Sequence, residues 1–146
     1  MRLITVCLML AALGFAAEKK IKINDLPPAV RKTVDELGKT STLVGFAKEV
    51  EDGKTMYEAE TKVDGKTRDV TIDADGKIVM TEQEVAIATI PAPARAAIEK
   101  EASGGKITLV EKVTKGTDVK YEAAITPKSG KKKEVSFSAD GSPVKW

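Results

Sequence analysis

The sequence predicts an α+β fold of two repeats, each one helix packed on a small antiparallel β-sheet of about four strands. Three observations predict it. Leu26-Pro27-Pro28-Ala29-Val30-Arg31 is echoed by Ile90-Pro91-Ala92-Pro93-Ala94-Arg95. The register then persists at a period of about 64 residues, with Val34 on Ile98, Phe46 on Val110, and Tyr57-Glu58-Ala59 on Tyr121-Glu122-Ala123. Each copy opens on an apolar stripe at helical spacing, and after each stripe the apolar period switches to two.

The N-terminus comes first. Met1-Arg2 is positive, Leu3 to Phe15 is almost wholly apolar, and Gly14, Ala16 and Ala17 are small, the pattern of a signal peptide over residues 1–16 cleaved after Ala16 or else Ala17. The apolar run stops after about 13 residues at Glu18-Lys19-Lys20, short of the roughly 18 that a membrane-spanning helix needs. The expected compartment is the periplasm or the exterior, with no membrane span after cleavage. The one cysteine, Cys7, leaves with the leader, and the chain has no histidine, so the mature protein has neither thiol nor imidazole. Its 24 basic and 22 acidic residues give +2; loss of Arg2 leaves 23 against 22, or +1, which argues against nucleic acid as a partner.

Repeat one is expected over residues 26–80. Proline suits the first helical turn, Asp25 can cap, and Leu26, Val30, Val34 and Leu37 form the stripe that Gly38 ends. Strands follow with Val44, Phe46 and Val50, then Tyr57, Ala59, Thr61 and Val63, then Val70 and Ile72, then Ile78 to Met80. Turns fall at Asp52-Gly53, Asp64-Gly65 and Asp75-Gly76. Repeat two, over residues 90–146, has the stripe Ile90, Ala94 and Ile98 ended by Gly104-Gly105. Its strands carry Ile107, Leu109 and Val113, then Val119, Tyr121, Ala123 and Ile125, then Val135 and Phe137, then Val144 and Trp146. Residues 81–89 read as a tether that holds the copies close. Packing together suits them, because a unit of about 60 residues is marginal alone.

A helix opening on Leu/Ile-Pro, a strand carrying Tyr-Glu-Ala and a terminal Asp-Gly turn, behind a leader, resemble the PepSY-like domains of bacterial envelope proteins. Leu26, Pro27, Tyr57, Asp64-Gly65, Val70, Ile72 and Asp75-Gly76-Lys77 carry the resemblance in one copy; Ile90, Pro91, Tyr121, Gly130, Val135, Phe137 and Asp140-Gly141 carry it in the other. It implies a helix on a small antiparallel sheet and a role in protein contacts or peptidase inhibition. The tandem arrangement is also similar to the secreted β-lactamase inhibitor proteins, where two such sheets form a concave binding face.

Without histidine or cysteine, chemistry falls to carboxylates, Lys, Ser, Thr and Tyr, and none stands in a catalytic pattern. No nucleophile elbow and no phosphate-binding glycine loop occurs, and Ser129-Gly130-Lys131-Lys132 lies on an expected turn, where a lysine is not desolvated. Asp73-Ala74-Asp75-Gly76 begins like a calcium loop but has Lys77 where an oxygen ligand is needed, so it reads as a hairpin turn. No enzyme activity, cofactor or metal is expected. Tyr57 and Tyr121 fall on the apolar phase of their strands. The opposite phase, Met56, Glu58, Glu60 and Lys62 with Lys120, Glu122 and Ala124, should face away from the helices and offer a mixed-charge platform for an unidentified protein or peptide partner, such as an envelope hydrolase to be inhibited. The alternative is an envelope stress or scaffold factor holding anionic polymer or lipid through Lys128, Lys131, Lys132 and Lys133.

The mature chain is expected to begin at Ala17 or Glu18 and to carry no disulfide, which intact mass spectrometry of exported material checks. A Met1-containing chain in the membrane fraction is the contrary result.

Overall fold

The computed structural model describes residues 18–51 and 53–145. The leader expected over residues 1–16, with Cys7, lies outside the described residues, as do Asp52 of the first turn and Trp146 of the expected last strand. Among the described residues two α-helices form, α1 over Pro28–Leu37 and α2 over Ala92–Ala102, each with proline at the N-cap and again in the first turn. Proline's φ is already helical, and its missing N–H is one the helix start cannot pair. Asp25 does not cap α1: its carboxylate accepts the Lys22 amide at 3.0 Å within a one-turn 3-10 helix, Ile23–Asp25. α1 runs into Gly38, whereas α2 stops at Ser103, which takes the left-handed conformation ahead of the glycine pair.

The described residues hold eight strands: β1 Lys19–Ile21, β2 Thr42–Glu51, β3 Lys54–Val63, β4 Lys66–Asp73, β5 Ile78–Glu84, β6 Lys106–Lys115, β7 Asp118–Thr126 and β8 Lys133–Phe137. They make one antiparallel sheet in chain order. This overturns the expectation of two repeats with a helix on a four-stranded sheet apiece. The cause lies in the segment read as a tether, where Thr81–Glu84 continue β5 and pair with β6, Met80 opposite Lys115, Glu82 opposite Val113 and Glu84 opposite Glu111. Two separate sheets would leave two strand edges with unpaired N–H and C=O groups, and joining them satisfies both.

Both helices pack on one face of this sheet, over two hydrophobic clusters. Leu26, Val30 and Val34 meet Tyr57, Ala59, Val70 and Ile72; Ile90, Ala94, Ile98 and Ala102 meet Val110, Ala123, Ile125 and Phe137. Pairing carries Val70 through Thr81 and Thr114 to Val119, two residues before Tyr121, so the clusters lie on the same side. Local registers recur as well. Phe46 pairs with Ala59 and Val110 with Ala123, and each pair of strands carries a bulge, between Leu43 and Gly45 and between Ile107 and Leu109.

Those bulges correct the expected alternation. An extra residue reverses the phase of a strand. In β2 it turns Val44 outward to 45% exposure and seats Leu43 against the core. In β6 it seats Ile107 there, and Leu109, opposite Ala124, falls on the far face with the fully buried Val113, opposite Lys120. At the expected last strand, the described residues show an isolated bridge between Phe137 and Pro143. β1, too short to announce itself in the sequence, pairs Ile21 with Phe46.

The Asp-Gly turns fasten helix to sheet. The Asp73 carboxylate accepts the amides of Asp75 at 3.0 Å and Lys77 at 2.9 Å, which is turn chemistry, and the Thr33 hydroxyl donates to the Gly76 carbonyl at 2.6 Å. Gly76 has φ +83° and sits so near α1 that a Cβ would stand 2.6 Å from the Ala29 carbonyl oxygen; Gly141, φ +84°, stands likewise 2.8 Å from that of Pro93. Gly76→Ala and Gly141→Ala are each expected to cost at least about 2 kcal/mol, from the left-handed backbone and the clash with a helix carbonyl. Urea unfolding of the two variants checks this; a cost under about 0.5 kcal/mol would mean that the turns yield.

Candidate functional site

The face away from the helices is covered by no element of the described structure, and the strand registers decide which side chains meet on it. Across β3, β4 and β5, Glu60 stands opposite Asp69 and Asp69 opposite Glu82. One step along, across β5, β6 and β7, Glu84 stands opposite Glu111 and Glu111 opposite Glu122. Glu82 and Glu84 are alternate residues of β5, so the two files join into one acidic band over the middle of the sheet. Glu58, opposite Ala47 and Thr71, flanks it.

Carboxylates directly abreast on neighbouring strands repel, and ionising all of them together would destabilise the sheet. Relief comes in two forms. Part of the band is paired: Glu84 accepts the Thr67 amide at 3.1 Å and hydroxyl at 3.2 Å, and Glu122 accepts the Ser136 hydroxyl at 2.9 Å. Glu122 also meets the Lys120 ammonium at 2.7 Å, with the lysine side chain 3% exposed. Elsewhere burial and neighbouring charge favour the protonated acid, at Glu58, Asp69, Glu82 and Glu111. Burial first, then the charge of Asp69, pushes Glu58 up to about 8. Burial and the charge of Glu82 push Glu111 up to about 8. Glu82 rises to about 7 through burial and Glu122, and Asp69 to about 6 through burial and Glu60.

The residues singled out in the sequence are therefore distributed as follows. Met56, Glu58, Glu60, Lys120 and Glu122 share the uncovered face, with Met56 between Glu49 and Asp73. Lys62 lies exposed at the far end of β3. Facing away from the helices does not leave them all exposed: Lys120 is at 2% exposure, and Glu58 and Glu60 are half-buried. Ala124 is likewise buried. Sequence reasoning missed Asp69, Glu82, Glu84 and Glu111. Their signal was present as acids on the polar phase of strands, but Glu82 and Glu84 stood in a segment read as a tether.

The lysine turn is a separate place. Lys128, Lys131 and Lys132 are exposed, and Lys133 meets Glu101 at 2.5 Å. Tyr57 and Tyr121 pack into the two clusters under the helices. Among the described residues no group of carboxylates is placed to hold a metal ion, and no helix is long and apolar enough to cross a membrane.

No family model and no curated protein matches this chain. Solved structures do. A protein from Bacteroides eggerthii DSM 20697 assigned to the periplasm superposes with a TM-score of 0.65 at 20% identity, over 82% of this chain and 86% of that one. A DUF2874 family protein from Bacteroides ovatus ATCC 8483 gives 0.63 at 20% identity, over 83% and 86%. A BLIP-like protein from Bacteroides fragilis NCTC 9343 gives 0.60 at 22% identity, over 82% and 84%. At such identities the likeness concerns the fold: the single sheet carrying two helices is a BLIP-like fold.

The raised carboxyls make stability depend on pH with a definite sign. Unfolded, Glu58, Glu82 and Glu111 ionise near 4.5 and Asp69 near 3.8. Between those values and about 8 the folded chain holds more protons than the unfolded one, so the stability they supply is complete below the unfolded values and drains away as pH rises to about 8. Glu101, lowered by its hydrogen bond from Lys133, and Asp140, lowered by that from Ser138, shift in the opposite direction. The melting temperature is expected to rise by about 5 °C between pH 8 and pH 5. Glu58→Gln and Glu111→Gln should raise it at pH 8 and flatten the dependence, whereas Glu122→Gln should cost about 3 kcal/mol by weakening the pairing of buried Lys120. Melting curves across pH read all of these.

Proposed function

We propose that this chain is an exported, non-enzymatic binding module of the periplasm or cell exterior that recognises a protein or peptide partner through the sheet face opposite its helices. The observation that carries the reading is the acidic band on an uncovered face: Glu60, Asp69 and Glu82 abreast, continued by Glu84, Glu111 and Glu122. A purely structural face would not concentrate like charges at a cost to folding. Binding sites do so, because their surfaces are shaped for a partner that the folded chain alone lacks.

Export is supported by the leader-like residues 1–16 and by a fold shared with a protein assigned to the periplasm. Inhibition of an envelope hydrolase is the sharpest form of the proposal, in keeping with the BLIP-like fold. The PepSY-like relation, with related halves over 26–80 and 90–146, is supported by the recurring registers of β2 with β3 and β6 with β7. A binding role rather than catalysis accords with a chain that has no histidine and whose single cysteine stands in the leader-like run.

Photo-crosslinking in the producing cell tests the face directly. A photoreactive residue at Met56 or Lys62 is expected to yield a protein adduct, and one at Lys131 is not. Adducts from Lys131 alone would transfer the function to the lysine turn and remove the sheet-face reading.

A further inference from the structure

Glu111 is the least explained side chain of the band. It is 6% exposed, on the interior strand β6, and among the described residues no hydrogen bond or ion pair holds its carboxyl; its register places it on the acidic face between Glu84 and Glu122. A glutamate so largely buried ordinarily has its carboxyl paired. Its surroundings offer it none. From β4 it faces Asp69, from β5 Glu82 and Glu84, from β7 Glu122, and from β8 Glu134. The buried cation nearby, Lys120, meets Glu122.

We propose that the acidic band receives the arginine side chains of an extended segment of the partner protein, the guanidinium groups lying between Glu111, Glu82 and Glu60. This rests on the sheet-face reading and names the chemistry of its partner. Charge complementarity chooses the occupant. The six carboxyls of the two files have one buried lysine among them, and what the band lacks is positive charge. Adjacent strands set neighbouring carboxyls about 5 Å apart, a spacing that a planar guanidinium bridges with paired N–H donors. Arginine also sheds water more cheaply than lysine and stays charged when buried. A divalent ion fits less well, since no group of the described carboxylates is gathered closely enough to hold one.

Entry of the arginines requires the protonated acids to ionise, each carboxylic O–H giving its proton to solvent as the guanidinium takes its place. Binding therefore strengthens with pH. Glu58, Glu82 and Glu111 hold protons up to about 8, about 7 and about 8 in the free protein, so a fall from pH 8 to pH 6 should weaken binding at least about tenfold.

The test is titration of the purified protein with an amidated hexa-arginine peptide at low salt, followed by amide NMR shifts. The expected result is saturable binding, shifts centred on β3 to β7, at least about tenfold weaker binding at pH 6 than at pH 8, and about tenfold loss in a Glu82→Gln, Glu111→Gln double variant. Glutamine mimics the protonated acids, so that variant should fold; if it melts, Glu60→Gln at the half-buried end of the band gives the same reading. Removing Lys131 and Lys132 as alanines should change nothing. Equal binding by wild type and variants, shifts elsewhere, or displacement of the peptide by stoichiometric calcium would each overturn the proposal. Crosslinks from Met56 without arginine binding would leave the sheet-face reading standing and remove this one; failure of both experiments would remove both.

Discussion

The structure depends on the ladder between β5 and β6. No β5 side chain is fully buried, and β5 contributes to neither hydrophobic cluster; what holds it is backbone pairing, with β4 on one side and β6 on the other. That ladder joins two halves that would each be small for independent stability. It also fixes their relative orientation. Because antiparallel neighbours keep matched residues on one side, the halves must present their helices to the same face and their polar phases to the other.

Everything notable about the uncovered face follows from this one joint. Glu60 and Asp69 belong to one half and Glu111 and Glu122 to the other, and only the ladder places Glu82 and Glu84 between them. The price is electrostatic. The band is tolerated because Thr67, Ser136 and Lys120 engage Glu84 and Glu122, while burial keeps protons on Glu58, Glu82 and Glu111 near neutral pH. A face kept neutral by protons is one that a cation can recharge, and this links the folding cost to recognition.

The helix side shows the opposite economy, where repeated solutions recur with little variation. Gly76 lies against the first turn of α1 and Gly141 against that of α2, both with left-handed φ and both on an Asp-Gly turn held by an aspartate carboxylate. The bulges in β2 and β6 recur likewise. These features hold the scaffold in place. The open faces of the two halves, by contrast, differ, with Met56, Glu58 and Glu60 in β3 where β7 has Lys120, Glu122 and Ala124.

Local physics was legible in the sequence. Proline-led starts and apolar stripes marked α1 and α2 to within about two residues, period-two alternation placed Tyr57, Ala59, Tyr121 and Ala123 inward, and the Asp-Gly turns stood where glycine was needed. Each is decided by a few neighbouring residues. Phase reversal at Val44 and Leu109 was not legible, because a bulge is a property of two paired strands. Nor was the single sheet: Thr81–Glu84 carry no strong strand pattern and become a strand because edges on both sides need partners. The acidic band was least legible of all. Its carboxyls are spread from Glu60 to Glu122, and only register brings them abreast, so the sequence determined which residues were polar while the tertiary pairing decided that they form one site.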